Sequence, residues 1–197
     1  MKKPLETSAV EQLFTAARSH NDWHDRAISD SDLQRLYDIW KYGPTSANCS
    51  PARVVFVRSA AARERLMSHL SSGNQAKTRA APVCAIIGYE VKFYDRMPEL
   101  FPHAPSARDW FTGSAEFADT TALRNSTLQG AYLMIAARAI GLDVGPMSGF
   151  DADGVEREFF PDGGIRANFL CSLGVGKTEA VFERLPRLAF DDACELV

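Results

Sequence analysis

Polar side chains gather in three separated segments of the chain, in places where a turn alone would not need them. Pro44-Thr45-Ser46-Ala47-Asn48-Cys49-Ser50-Pro51 is a proline-bracketed loop rich in hydroxyl and amide groups. Asn74 and Lys77 stand at i, i+3 just after Gly73, and Gly145-Pro146-Met147-Ser148-Gly149-Phe150 follows directly on Leu142-Asp143-Val144. Hydroxyls and carboxamides both donate and accept hydrogen bonds, an ammonium only donates, and glycine lets a backbone come close to a neighbour. This is chemistry for holding a polar ligand.

Motifs for other chemistries fail on inspection. Gly176-Lys177-Thr178 follows a strand-like run, as the end of a phosphate-cradling P-loop would, but Cys171 occupies the place of the required glycine. The chain also ends too soon afterwards for a later strand to supply a magnesium-binding acid. His20 and His24 have the i, i+4 spacing of a helical zinc pair, yet Asn21 stands where the general-base Glu belongs and the pair lies past a helix end. Cys49, Cys84, Cys171 and Cys194 contain no Cys-x-x-Cys pair, so they predict reduced thiols with neither a metal site nor a disulfide framework. There is no Gly-x-Ser-x-Gly elbow, and no cysteine is marked as a nucleophile with its base.

The elements that must position these groups follow from periodicity. Val10, Leu13, Phe14 and Ala17, after the capping-box spacing Ser8 to Glu11, predict a helix over about Ser8–His20. Ser29 to Asp32 starts a second helix with the stripe Leu33, Leu36, Tyr37 and Trp40, stopped by Gly43-Pro44. Val54–Val57 reads as a strand, followed by a Ser59-capped helix reaching about Ser72. Pro82–Tyr89 is apolar on both faces and predicts a central strand. Asp119–Ile140 lacks proline and is nearly all apolar after Gln129, where Tyr132, Leu133, Ile135 and Ala136 cover much of the circumference, which predicts a buried central helix ended by Gly141. Asp151–Phe160 is a short helix, Phe169–Val175 a third strand candidate, and Asp191–Cys194 a weakly helical tail. Glu90–Phe117, with Pro98, Pro102, Pro105 and aromatic residues, predicts a lid or partner surface at about 90–117.

The 197 residues are 46% hydrophobic and 24% charged, which suits one domain over 1–197 with its own core. A net charge of -3 offers no global attraction for nucleic acid or an anionic membrane, so any anion site must be local. The N-terminus has two lysines but no apolar stretch behind them, and no run is long enough to cross a bilayer. A soluble, cytoplasmic protein is the expectation.

In order and spacing the polar segments resemble the nitroreductase family of flavin mononucleotide (FMN) enzymes, from the helix at Ser8 to Leu185-Pro186. Pro44, Ser46, Asn48 and Pro51 match that family's Pro-Ser-Ser-x-Asn-x-Gln-Pro loop, with Thr45 and Ser50 as departures. Asn74 and Lys77 match an Asn-x-x-Lys aimed at the pyrimidine edge of the flavin, and Asp143 to Asp151 resembles the segment that passes flavin N5. Arg184 matches the arginine of a C-terminal Lys-x-Arg-Leu-Pro whose basic residues bind phosphate, while Phe182 replaces its lysine. The N-terminal Arg-x-Ser phosphate motif is blurred into Arg18-Ser19-His20-Asn21, which leaves open which of Arg18, His20 and Asn21 meets phosphate. Ser148 takes the place of an acidic residue often found beside N5.

The resemblance implies an α+β fold with a central, mostly antiparallel sheet flanked by helices, in an obligate homodimer. It implies a cofactor site of Arg18, His20, Asn21, Pro44, Ser46, Asn48, Asn74, Lys77, Pro146, Met147, Ser148, Gly149 and Arg184, with the Pro44–Pro51 loop coming from the partner. FMN would take hydride from NADH or NADPH and pass it on, so no side chain need be a classical acid or base and no metal is called for. Within the family, His20-Asn21-x-Trp23, Gly43 to Arg53 and Gly145 to Phe150 resemble the malonic semialdehyde reductases of pyrimidine utilisation. That implies reduction of malonic semialdehyde to 3-hydroxypropionate, with His103 or Arg108 of the insert orienting the carboxylate. The rival expectations are a nitro- or quinone-reducing enzyme of broad specificity and a non-catalytic flavin binder.

Overall fold

The computed structural model describes residues 1–197. Its centre is Val83–Glu90 (β2), buried from Val83 to Tyr89. The strand is apolar on both faces because both are covered. Ala85 and Ile87 join one core cluster with Leu36, Trp40, Leu133 and Leu173, while Cys84 and Ile86 join another with Leu66, Val155 and Leu170. Alternate residues of a strand point to opposite faces, so this division is the period-2 rule at work.

Ala52–Val57 (β1) pairs antiparallel with β2 on one side, and Ile165–Gly174 (β4) pairs with it on the other. Asp143–Met147 (β3) pairs antiparallel with β4 and completes the order β1-β2-β4-β3. Periodicity gave no sign of β3, since Gly145 and Pro146 are poor strand residues. It forms because it is an edge strand, where a proline need not donate to a second neighbour.

Helix α2 (Asp30–Trp40) carries the capping box that Ser29 and Asp32 predict and buries Leu33, Leu36 and Trp40. The long helix, α5 (Ala115–Ala139), begins one turn earlier than its sequence suggests, under a Ser114 cap, and ends before Gly141 at φ +83°. It packs with α2 on one face of the sheet. On the opposite face lie Ala60–Met67 (α3) and Ala152–Phe159 (α6).

Two expected helices are corrected. The first, α1, covers only Thr7–Val10 and continues as a wider turn over Glu11–Thr15, with no side-chain cap at its start. It stops short of His20 because Ser19 and His20 run alongside β3, where the His20 N–H donates to the Val144 carbonyl at 3.0 Å. Its apolar stripe is not buried by this chain, since Val10 and Phe14 remain exposed. The second, expected from Ser59 to about Ser72, ends at Met67 as α3, and a further helix that was not expected, Ser72–Ala80 (α4), follows it. Between them Leu70 and Ser71 pair with Phe150 and Gly149, which takes their backbone out of helical bonding.

The insert folds as single helical turns over Phe93–Arg96, Met97–Leu100, Pro105–Arg108 and Asp109–Thr112. Phe93, Met97, Ala107 and Phe111 form a separate small core with Cys49, Tyr89, Ala118 and Ala122. No helix is long and apolar enough to cross a membrane.

Candidate functional site

Two groups of the residues picked out by sequence lie at different places on the sheet. The first surrounds the β3 edge. The Gly149 carbonyl accepts the Ser71 N–H at 3.0 Å and Asn74 Nδ2 at 2.8 Å, so both its lone pairs are used. A Cβ at Gly149 would stand 2.7 Å from Asn74 Nδ2, which makes glycine necessary for this approach. One N–H of Asn74 is used in this way, and its Oδ1 accepts no hydrogen bond within the chain, so it offers an acceptor to anything that arrives. Lys77 stands half-buried one turn further along α4, and its carbonyl accepts Trp23 Nε1 at 3.1 Å. Ser148 and Pro146 are exposed beside Gly149, whereas Met147 is buried, its sulfur accepting the Thr78 hydroxyl at 3.4 Å.

Arg18 and Arg184 lie where the N-terminal segment crosses the tail. Arg18 donates to the Phe182 carbonyl. Arg184 donates through Nη2 to the carbonyls of Thr15 at 2.8 Å and Ala17 at 3.0 Å. Arg18, Lys77 and Arg184 form no ion pair with a carboxylate. Asn21 is half-buried, and His20 is buried with its ring turned inward.

The second group lies at the opposite edge, before β1. Ala47, Asn48 and Ser50 all have left-handed backbones, at φ 47°, 54° and 38°. Such strain in non-glycine residues persists only where surroundings enforce it, commonly at functional sites. Here the Ser46 N–H donates to Asn125 Oδ1 at 2.8 Å, the Ala52 N–H to Gln129 Oε1 at 2.9 Å, and Asn48 Nδ2 to the Leu100 carbonyl at 2.8 Å. Pro44, Ser46 and Asn48 are exposed, and Cys49 is buried beneath them with its thiol pushed up to about 11 by desolvation. Asn48, Ser50, Arg53, Trp40, Arg96 and Leu100 line part of a cleft of about 1270 Å³ between α2, β1 and the insert.

Of the insert candidates, Arg108 is paired with Asp95 at 2.8 Å and His103 packs on Phe101 with ring centroids 3.9 Å apart. Both are exposed. Sequence reasoning missed Asn125 and Gln129, which hold the strained loop. Their signal was two amides at i, i+4 on one face of a helix expected to be buried. It also left Trp23 and Asp143 without a role.

Comparison with known proteins gives a consistent result. The nitroreductase family model matches residues 6–177. A protein of Polynucleobacter asymbioticus, provisionally named an NADH dehydrogenase/NAD(P)H nitroreductase, is 52% identical over 197 residues, all of both chains. One of Ralstonia nicotianae with the same provisional name is 54% identical over 193 residues, 98% of each chain. Among solved structures, one from Exiguobacterium sibiricum described as a nitroreductase in complex with FMN superposes with a TM-score of 0.84 at 20% identity, covering all of both chains.

Proposed function

The chain belongs to the nitroreductase family, and from that premise we propose that it is an FMN-dependent NAD(P)H oxidoreductase acting as a homodimer. The observation that carries the reading is the Gly149–Asn74 contact. It forms a glycine-lined surface with a free carboxamide oxygen, and Lys77 adds a half-buried ammonium that no carboxylate neutralises.

The residues present fit the cofactor. An imide edge needs one acceptor for its N–H and donors for its carbonyls, which Asn74 Oδ1 and Lys77 would supply. A phosphate needs cations and N–H donors, which Arg18, Asn21 and Arg184 would supply, with His20 in the same segment. Ser148 and Gly149, with Pro146 and Met147 before them, would face the reactive edge without bulk. When bound, FMN supplies the two-electron relay from NAD(P)H to an oxidant. The protein would bind and orient it, and the Lys77 charge would favour added electron density at the pyrimidine edge.

Pro44, Ser46 and Asn48 would complete the site of the other subunit. They sit before β1, while Asn74 and Gly149 adjoin β3 at the far edge, three strand spacings or ~14 Å across the sheet. Exposed Leu128 and Tyr132 on α5, Tyr37 and Tyr42 on and after α2, and Phe182, Leu185 and Phe190 in the tail favour an apolar surface for a partner copy.

For the substrate we propose malonic semialdehyde, with its carboxylate oriented by Arg108 or His103 of the insert. Resemblance of the Gly43–Arg53 and Gly145–Phe150 strings supports this choice. A broad nitro- or quinone-reducing activity is the second reading, favoured by the names of the relatives and by the pairing of Arg108 with Asp95. Steady-state kinetics of the FMN-loaded protein decides between them. The first reading predicts the highest kcat/KM with malonic semialdehyde, and a higher value with nitroaromatics or quinones establishes the second.

A further inference from the structure

The two motifs that failed as signatures of catalysis meet in the fold. Trp23 pairs with Gly176 across a short antiparallel bridge, and the His24 N–H donates to the Val175 carbonyl at 2.8 Å. The Lys177 N–H donates to the Asp22 carbonyl at 3.0 Å, and the Lys177 ammonium to the Asp22 carboxylate at 2.9 Å. The would-be zinc segment is therefore docked on the would-be P-loop turn.

At the centre of the junction is His20, 4% exposed. Its Nε2 lies 3.3 Å from Asp143 Oδ1, and its Nδ1 is buried against Gly176, where even a methyl group would overlap the ring. Neither ring nitrogen is presented to an outside ligand. The second oxygen of Asp143 accepts the Gly176 N–H at 2.9 Å. One carboxylate thus joins the N-terminal segment, β3 and the turn after β4.

We propose that Asp143 is a positioning residue for the cofactor phosphate, and that His20 is a buried strut rather than a phosphate ligand. Acting through His20 and the Gly176 N–H, Asp143 fixes the extended course of Ser19–Trp23, and so the places of Arg18 and Asn21. The proposal rests on the FMN reading above. Removing the carboxylate leaves the Gly176 N–H without its acceptor and the His20 ring without its polar neighbour, while the backbone bond from His20 to Val144 and the Trp23 contacts still hold the segment on the sheet.

FMN and riboflavin differ only in the phosphate, so titrating the full-length protein with each isolates the effect. Asp143→Ala should raise the FMN dissociation constant about tenfold and the riboflavin constant less than about twofold. Asp143→Asn keeps one acceptor oxygen and puts an NH2 group in place of the other, so it should weaken FMN by an intermediate factor of about three to five with riboflavin unchanged, and it carries the test if Asp143→Ala does not fold. His20→Ala should cost nothing further in the Asp143→Ala background, because the two act through one shared contact. Equal weakening of both flavins, no weakening of either, or additive losses from His20 and Asp143 would overturn the proposal. Wild-type protein that binds riboflavin as tightly as FMN would instead fail the underlying flavin-phosphate reading.

Discussion

Arg184 is the tail residue that we propose for the cofactor phosphate, and its guanidinium is already oriented by the carbonyls of Thr15 and Ala17. A charge-assisted hydrogen bond contributes about 1.5–3 kcal/mol, so Arg184→Ala should raise the FMN dissociation constant by roughly one to two decades. Flavin fluorescence titration reads this directly, and an unchanged curve would place the tail away from the cofactor. The cysteines give a second test at this scale. Burial pushes the thiol of Cys49 up to about 11 and those of Cys84 and Cys171 up to about 12. Unfolded thiols ionise from about pH 8.5, so the native state resists thiolate formation, and the stability this provides is lost as pH rises from about 9 through 12. At pH 8 a chromogenic disulfide reagent should label the exposed Cys194 quickly and the other three only in denaturant. Rapid labelling of more than one thiol in native protein would contradict the packing described.

Helix α5 shows how packing overrides local preference. On propensity alone, replacing Gly130 with alanine would stabilise a helix interior by about 1 kcal/mol. Here the added methyl would overlap the Phe169 ring of β4, and overpacking of a core costs typically 1–3 kcal/mol. The second term wins, so Gly130→Ala should lower the midpoint of thermal unfolding; a raised midpoint would mean that the helix can move off the sheet. The same contest explains what could be read from sequence. The central strand, the capped α2, the buried α5 and the order of the polar segments are local or periodic, and they were legible. β3 was not, because only its place at a sheet edge makes Gly145 and Pro146 acceptable. The end of α1 and the break before α4 were hidden too, since Ser19, His20, Leu70 and Ser71 leave helical bonding for strand-like partners distant in sequence. Within the site, Asn74 and Gly149 could be named from their types, but the committed Asn74 nitrogen and the inward-facing His20 ring depend on tertiary contacts.

At the scale of the whole molecule, the two groups of residues proposed to make up the site occupy opposite edges of one sheet. The strained Pro44–Pro51 loop is held by Asn125, Gln129 and Leu100 and lines a cleft with α2 and the insert, whereas the Asn74–Gly149 surface adjoins α4 and the end of β3. A closed two-fold dimer would join each half to the complementary half of its partner, giving two equivalent sites. The most direct measurement of this account is FMN binding to a doubly tagged heterodimer that combines an Asn48→Ala chain with an Asn74→Ala chain. If each site draws on both subunits, one site carries both lesions and the other neither, and about half of the wild-type sites should bind FMN with wild-type affinity. If both residues serve one site from one chain, every site carries a lesion, and the absence of any wild-type-affinity binding would contradict the account.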